Sequence, residues 1–227
     1  SATTTLTITI VGTSDEPVAL ADSATTPEDT PITIPVLGND GDPGGEPLTI
    51  TEVNGLPISA GTPVALTDPA TGSPVGTIEL TPTGELRFTP APGFNGPVAF
   101  NYTGADPQGN RTSAPVLVNV LPVNDTPAAS PDSYTTPEDT AVAIPVAAND
   151  TDPDGDRLTP TIVDGQPIGL GGSVDIKDPV TGATQGTVTL SPIGELSFTP
   201  APGFNGTVSF PYTVGDPSGA TASSVAT

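Results

Sequence analysis

The stretch GELRFTPAPGFNGPVAFNYTG, residues 84–104, is the most informative part of the chain for its fold. After a glycine turn, apolar and polar residues alternate as far as Thr89. The loop PAPGFNG follows, and a second stretch of alternating residues comes after it. In that second stretch one residue separates Val98 from Phe100 and Phe100 from Tyr102, so in a β-strand all three lie on one face. We therefore predict two strands joined by a loop, with these three side chains in the core.

Much of this stretch occurs twice in the chain. FTPAPGFNG at 88–96 returns at 198–206, and a gapless comparison of residues 17–117 with 127–227 gives 55 identities in 101 positions. All six phenylalanines and two of the three tyrosines occupy equivalent positions. A period of 110 residues is too long for a solenoid unit and indicates a whole domain repeated in tandem.

Composition excludes several classes of function. The chain of 227 residues carries 26 acidic and 4 basic side chains, a net charge of −22, which disfavours nucleic-acid partners and anionic membranes. No apolar run approaches the roughly 18 residues of a membrane span, so membrane insertion is not expected. It has no Cys, His, Met or Trp, so a disulfide framework, a thiol nucleophile, a histidine base and a zinc site are all excluded. Thirty prolines and 26 glycines exclude long helices, and the alternating apolar residues favour short strands over disorder.

Seven strand signals follow one another in the first copy, each bounded by turn residues. They are PVALADS (17–23), PITIPVL (31–37), LTITEV (48–53), GTIEL (76–80), GELRFT (84–89), VAFNYTG (98–104) and SAPVLVNVLPV (113–123). TTPEDT (25–30) is predicted to be the first turn, and residues 56–74 an additional hairpin. Seven short strands with turns about every 8–12 residues are typical of an immunoglobulin-like sandwich. We predict an all-β chain of two tandem Ig-like, seven-stranded Greek-key β-sandwiches.

The repeat also sets the expected domain boundaries. Residues 1–14 are expected to be the last strand and linker of an upstream repeat, because SATTTLTITIVG (1–12) aligns with residues 111–122. Residues 15–123 form the first repeat, and residues 124–227 form the second, whose C-terminal strand is truncated. The alternative, in which residues 1–12 open the first domain, would cut through the DPQG hairpin and is disfavoured.

The chain resembles a known family. VNDTPAASPDSYTTPEDTAVAIPVAANDTDPDGDRLTPT (123–161), followed by GTVTLSPIGELSFTPAPGFNGTVSFPYTVGDPSG (186–219), is similar to the cadherin-like and Ig-like tandem repeats of giant bacterial surface adhesins. The resemblance implies a non-enzymatic, calcium-stiffened stalk or adhesive segment, exported by type I secretion and used in cell adhesion and biofilm formation. It also implies an extracellular, cell-surface location. The implied partners are neighbouring repeats of the same chain and ligands on host, abiotic or cell surfaces.

The loop NDTDPDGD, residues 149–156, has the composition of a calcium site. The spacing Asp150-x-Asp152-x-Asp154-Gly155 matches the first half of an EF-hand-type loop. The twelfth position holds Thr161 in place of the bidentate glutamate, so the loop alone is an incomplete site. The alternative is a solvated acidic turn, because Asp, Pro and Gly are favoured in turns.

The other acidic loops give weaker evidence for a metal site. In the first repeat NDGDPGGE (39–46) has Gly44 in place of the third aspartate, and both interpretations stay open there. Asp106 and Asp216 begin Asp-Pro-x-Gly turns, which explain them without a metal.

Further ligands are expected from outside the loop. Because successive strands of a sandwich alternate in direction, the linker VND (123–125), the loop 149–156 and the first turn of the first repeat are expected at one junction. Residues from all three segments would complete a calcium cage, as at cadherin-like junctions. The predicted metal ligands are Glu28, Asn124, Asp125, Asp150, Asp152, Asp154 and Asp156.

Two other functions are alternatives to the structural or adhesive module. The first is an ancillary β-sandwich module of a secreted polysaccharide-degrading enzyme. The equivalent placement of the aromatic residues indicates that they build the core, which leaves few for a sugar-binding platform. The second is catalysis by a pair of carboxylates, as in glycoside hydrolysis, and no pair here has a distinctive pocket signature.

The two chain ends predict head-to-tail self-association. Residues 1–12 resemble a final strand, and the second repeat lacks the rest of its own. Unpaired sheet edges recruit strands. We expect residues 4–11 of one molecule to lie along the sixth strand of another molecule's second repeat, the alternative being that residues 1–12 form a loose or locally folded tail.

Overall fold

The computed structural model describes residues 15–227, which contain strands and turns but no α-helix. The helical segments in this range are the 3₁₀ turns Val36–Gly38 and Val146–Ala148, and neither is long or apolar enough to cross a membrane. The chain divides after Val123, and the second unit is Asn124–Thr227. The predicted upstream strand and linker at residues 1–14 lie outside the described residues.

The first unit contains nine strands within residues 15–123. They are β1 (Asp22–Pro27), β2 (Ile32–Ile34), β3 (Thr49–Val53), β4 (Leu56–Pro57), β5 (Val64–Thr67), β6 (Pro74–Leu80), β7 (Leu86–Pro90), β8 (Gly96–Ala105) and β9 (Arg111–Leu121). One sheet has the order β1-β9-β8-β3-β4 and the other β2-β7-β6-β5. Strand β1 runs parallel to β9, and the other neighbouring strands pair antiparallel.

Buried and exposed residues alternate along β8 and β9, and the buried ones form much of the core of the first unit. Val98, Phe100 and Tyr102 are buried on one face of β8, which confirms the prediction for this strand. On β9 the residues Ala114, Val116, Val118 and Val120 are buried, while those between them are exposed. Each fully buried Val or Phe stabilises the fold by roughly 1.5–3 kcal/mol relative to an exposed one.

The second unit repeats this architecture with eight strands among its described residues. They are β10 (Val142–Ile144), β11 (Thr159–Val163), β12 (Gln166–Pro167), β13 (Ser173–Lys177), β14 (Thr184–Leu190), β15 (Leu196–Pro200), β16 (Phe210–Gly215) and β17 (Thr221–Ala226). The sheets have the orders β12-β11-β16-β17 and β10-β15-β14-β13. Tyr212, Val214 and Val188 lie at the centre of its core. The chain is thus all-β with two tandem Ig-like sandwiches, as predicted.

The first strand lies later in the chain than predicted. It spans Asp22–Pro27 and therefore includes the first half of TTPEDT, whose turn is confined to Glu28 and Asp29. The reason is long-range pairing: β1 follows β9 from Asp22↔Val116 to Pro27↔Leu121. The residues of a turn motif carry no information about a pairing partner as distant in sequence as β9.

The additional hairpin predicted at residues 56–74 is also corrected. Its two strands belong to different sheets, because β4 pairs with β3 and β5 pairs with β6. Val64 and Leu66 of β5 are buried in the core, so the insertion widens the sandwich at an edge.

Candidate metal centre

Three carboxylates meet at one end of the first unit. Asp42 and Glu46 lie on the loop between β2 and β3, and Asp106 follows β8. One carboxylate oxygen of each lies within 4.8 Å of the others, and among residues 15–227 no other trio of acidic side chains meets this condition. The β3–β8 pairing begins at Thr49↔Ala105, and this register brings Asp106 beside the end of the loop.

Asp106 is held in place by the turn that follows it. Its Oδ1 accepts the backbone N–H groups of Gln108 (2.9 Å) and Asn110 (2.8 Å), and its Oδ2 accepts the Asn110 side-chain amide (2.7 Å). The side chain is only 6% exposed. Burial opposes ionisation, but the hydrogen bonds from Asn110 and the backbone outweigh it and hold the pKa of Asp106 below its usual value. The turn therefore presents a buried anion.

Asp42 organises the loop and keeps one oxygen unused. Its Oδ1 accepts the backbone N–H of Gly44 at 2.7 Å and approaches that of Glu46 at 3.4 Å. Its Oδ2 is shielded from solvent without a hydrogen-bond partner. Glu46 is tied to the same turn as Asp106, because Gln108 Nε2 donates to Glu46 Oε1 at 2.6 Å. A buried carboxylate oxygen with no donor is unfavourable unless a cation partners it.

The equivalent loop of the second unit carries more acidic side chains. Asp152 Oδ1 accepts the backbone N–H groups of Asp154 (2.9 Å) and Asp156 (3.3 Å), and Asp152 Oδ2 is again shielded and without a partner. Burial raises the pKa of Asp156, and the negative charges of Asp152, Asp154 and Asp216 raise it further. The local field of this loop therefore favours a bound cation.

The linker residues are held by this acidic loop. Asp125 donates its backbone N–H to Asp154 Oδ2 at 2.7 Å, and the Asn124 amide donates to Asp216 Oδ2 at 2.8 Å. The hydrogen bond from Asn124 is the main cause of the lowered pKa of Asp216. Of the predicted ligands, the structure thus groups Asn124, Asp125, Asp152, Asp154 and Asp156, and it adds Asp216.

Asp150 faces a tyrosine hydroxyl. Its Oδ1 accepts the Ser130 N–H at 2.8 Å and lies 3.4 Å from the Tyr212 hydroxyl, while its Oδ2 is shielded without a partner. Burial raises its pKa, with a further contribution from the charge of Asp132.

Glu28 is a buried residue of the first unit. Its Oε1 accepts the backbone N–H of Val123, and its own N–H donates to the Leu121 carbonyl at 2.8 Å. It therefore fixes the end of β9, where the first unit ends.

Sequence reasoning explained Asp106 and Asp216 by turn chemistry alone. The turn role is present, since both accept backbone N–H groups of the residues that follow them. The sequence does not reveal that Asp106 lies close to Asp42 and Glu46, because this contact depends on the register between β3 and β8. The sequence does contain one signal for this role: Asp-Pro-x-Gly recurs directly after β8 and directly after β16.

Solved structures share the fold of this chain at low sequence identity. The human mucin-like protocadherin EC1-2 structure is 18% identical, with a TM-score of 0.52, and the match covers 93% of this chain and 96% of that one. Drosophila N-cadherin EC1-4 is 12% identical, with a TM-score of 0.50, covering 94% of this chain and 49% of that one, so the chain spans about half of its length. An endo-fucoidan hydrolase of glycoside hydrolase family 107 is 16% identical over 94% of this chain and 34% of that one, but its TM-score of 0.29 is too low to support a comparison.

Comparison of sequences assigns the family. No curated protein sequence matches the chain. The family described as bacterial Ig domain matches twice, at residues 14–119 and 124–227, and these ranges include both sandwiches and both acidic loops. The chain therefore belongs to the bacterial Ig domain family, as two tandem copies with a cadherin-like fold.

Proposed function

We propose that this chain is a non-enzymatic, calcium-stiffened extracellular repeat module of a large bacterial surface adhesin, a stalk or adhesive segment that serves cell adhesion and biofilm formation. The observation that carries the proposal is the shielded, unpartnered carboxylate oxygen found at equivalent positions, Asp42 and Asp152, beside further carboxylates. Bacterial Ig domains are usually extracellular or surface-exposed, which agrees with a secreted location at the cell surface.

The residues present fit a hard divalent cation. Ca²⁺ takes six to eight oxygen ligands, and each loop offers carboxylates and backbone carbonyls with no nitrogen or sulfur donor. Two unit charges 4.8 Å apart repel by roughly 0.9 kcal/mol in water, and by more where water is excluded. A bound Ca²⁺ would remove this repulsion and supply a partner for the orphan oxygens.

The proposed ligands differ between the two units. In the first unit they are Asp42, Glu46 and Asp106. In the second they are Asp152, Asp154, Asp156 and Asp216, with Asn124 and Asp125 from the linker. Glu28 and Asp150 stay predicted ligands, and each already has a partner within its own unit.

Calcium at the second site would stiffen the linker through contacts already present. Asn124 and Asp125 donate to the very carboxylates that would coordinate the ion. An ion that fixes Asp154 and Asp216 therefore also fixes the two residues that follow the first unit. The proposed partners are neighbouring repeats of the same chain and ligands on host, abiotic or cell surfaces.

An ancillary role in a polysaccharide-degrading enzyme has less support. Sugar platforms are built from exposed aromatic side chains. Phe88, Phe100, Tyr102, Phe210 and Tyr212 are buried, and the remaining aromatic residues of the described range are half-buried.

Calorimetric titration of the full chain with CaCl₂ tests the proposal. Extracellular modules bind with Kd of about 10⁻⁴–10⁻³ M, and we expect binding in this range. Asp42→Asn with Asp106→Asn should remove the first-unit site, and Asp152→Asn with Asp216→Asn the second, each weakening its site at least about tenfold because two charged ligands are lost.

The control variant removes the same charge elsewhere. Asp175→Asn with Glu138→Gln neutralises two exposed acids outside both sites and should leave the isotherm unchanged. An isotherm that responds equally to all three pairs would show diffuse counterion binding and would contradict the proposal.

A further inference from the structure

A buried tyrosine precedes one proposed metal ligand in each unit. Tyr102 lies on β8, four residues before Asp106, and Tyr212 lies on β16, four residues before Asp216. Their exposed fractions are 0% and 1%, and both rings belong to the core of their own unit. The strand that ends at a proposed ligand therefore also carries a polar hydroxyl inside the sandwich.

In the first unit this hydroxyl joins β8 to the loop that carries the other two proposed ligands. The Tyr102 hydroxyl donates to Asp40 Oδ2 at 2.6 Å. Asp40 stands two residues before Asp42, on the loop that continues to Glu46. Because Asp106 directly follows β8, the hydrogen bond fixes the position of the loop relative to Asp106.

Other hydrogen bonds at the start of the loop lead to a different part of the unit. Asp40 Oδ1 accepts the backbone N–H of Leu20 at 2.9 Å, and Gly41 and Val18 exchange two backbone hydrogen bonds of 2.8 and 3.0 Å. These contacts hold the loop against the segment that precedes β1. They do not bind it to β8, and the tyrosine hydroxyl supplies that connection.

A second carboxylate makes the hydroxyl more important. Asp22 lies close to Asp40, and its Oδ2 is shielded from solvent without a hydrogen-bond partner. Burial raises the pKa of Asp22, and the negative charge of Asp40 raises it further. Asp22 is held in β1 by its pairing with Val116, whereas Asp40 lies on a loop. Without the hydroxyl, repulsion between the two carboxylates therefore displaces Asp40, and the loop moves with it.

The second unit places the equivalent hydroxyl on a different acid. Tyr212 lies 2.8 Å from Asp132 Oδ2 and 2.8 Å from the Ser130 carbonyl, both in the segment before β10. The loop aspartate Asp150 is 3.4 Å away and accepts the Ser130 N–H at 2.8 Å instead. Tyr212 thus binds the segment before β10 more closely than it binds the acidic loop, so it serves as a matched control for Tyr102.

We propose that Tyr102 is a positioning residue for the calcium site of the first unit. Its hydroxyl holds the loop through Asp40, so that Asp42 and Glu46 face Asp106 before any ion binds. A site whose ligands are already in place binds more tightly, because the ion does not have to order the loop. This inference rests on the calcium binding proposed above and adds a residue, remote from the ion, that sets the affinity.

Calorimetric titration of the full chain with CaCl₂ tests this, one site at a time. With the second site removed by Asp152→Asn and Asp216→Asn, Tyr102→Phe should raise the Kd of the first site about three- to tenfold, the equivalent of one hydrogen bond. With the first site removed instead, Tyr212→Phe should change the Kd of the second site less than about twofold. Circular dichroism in chelator verifies that each variant is folded at the titration temperature.

A second pair of variants carries the test if Tyr102→Phe does not fold. Asp40→Ala and Asp22→Ala each remove one charge from neighbouring positions, but only Asp40→Ala removes the acceptor of the hydroxyl, so it should weaken the first site more.

The outcomes separate this inference from the proposed function. If the chain with an intact first site and tyrosine binds no calcium there, the proposed function fails. If it binds calcium, the role of Tyr102 is overturned by an unchanged Kd in Tyr102→Phe or by equal effects of the two Phe variants. A purely structural role would lower the unfolding midpoint in chelator without raising Kd.

Discussion

At the scale of single residues, one buried tyrosine in each unit is surrounded by acids. The Tyr102 hydroxyl donates to Asp40 Oδ2 at 2.6 Å, and the Tyr212 hydroxyl lies 2.8 Å from both Asp132 Oδ2 and the Ser130 carbonyl. Burial raises the pKa of both tyrosines, and the neighbouring aspartates raise it further. The Tyr102 hydroxyl thus ties β8 to the loop after β2, and the Tyr212 hydroxyl ties β16 to the segment before β10.

Replacing Tyr102 by Phe should destabilise the first unit by about 1–3 kcal/mol, because Asp40 loses its donor in a partly buried site. The pH dependence follows from the raised pKa. An unfolded tyrosine ionises near pH 10, so the stabilisation is complete below about pH 10 and is lost as the pH rises above it. The unaltered first unit should therefore weaken between pH 8 and 11, and Tyr102→Phe should flatten that decline.

Urea unfolding followed by far-ultraviolet circular dichroism at both pH values measures these effects. Tyr134→Phe is the control at pH 8, because Tyr134 is half-buried and donates to one acid, Asp132, at 3.1 Å. A loss for Tyr102→Phe no larger than for Tyr134→Phe would contradict the role given to the buried hydroxyl.

At the scale of elements, recurring motifs correspond to contacts between loops. Asp29 of the PEDT turn has a positive φ of 55° and accepts the N–H of Gly93 at 3.1 Å, and Asp139 accepts that of Gly203 at 2.8 Å. The turn at PEDT is therefore linked to the loop before β8 in the first unit and to the loop before β16 in the second. This contact gives a physical reason for the presence of PEDT and PAPGFNG in both repeats.

Strand β14 contains a glycine that the packing requires. A Cβ on Gly186 would lie 2.3 Å from the Phe198 ring and 2.6 Å from the Thr199 carbonyl. Gly186→Ala should destabilise the second unit by about 1–3 kcal/mol, since the ring and backbone must both shift. Thermal unfolding by circular dichroism measures this, with Thr184→Ala at an exposed site of the same strand as control. Equal unfolding midpoints for the two variants would show that the Phe198 ring can move without loss of stability.

At the scale of the whole molecule, two sandwiches of one architecture carry a large negative charge. Of the charged side chains, 26 are acidic and 4 basic, so self-repulsion opposes the compact state and a multivalent cation should favour it. With one proposed site in each unit, calcium is expected to stabilise both.

Calcium at ten times Kd should stabilise each unit by about 1.4 kcal/mol, which raises Tm by roughly 5–10 °C for a domain near 100 residues. Scanning calorimetry in CaCl₂ and in chelator measures the shift. Asp42→Asn with Asp106→Asn should remove it from the first unit and leave it in the second. MgCl₂ should raise Tm less than CaCl₂, because Mg²⁺ loses its bound water molecules less readily. If NaCl of equal ionic strength reproduced the shift, charge screening would explain it.

The sequence by itself determined the fold class, the tandem repeat and the buried faces. These properties depend on local patterns: alternation places Val98, Phe100 and Tyr102 on one face, and Pro, Gly and Asp end the strands. The acidic loop at residues 149–156 was found in the same way, because its aspartates are neighbours along the chain. The first strand was misplaced where a local turn signal competed with a distant partner, β9.

Only the tertiary structure decided which distant groups meet. Asp106 lies beside Asp42 and Glu46 because β3 pairs with β8 from Thr49↔Ala105, and a shift of that register would separate them. This contact depends on pairing between strands remote in sequence, whose register is set by the packing of the whole sandwich and not by the residues next to the site.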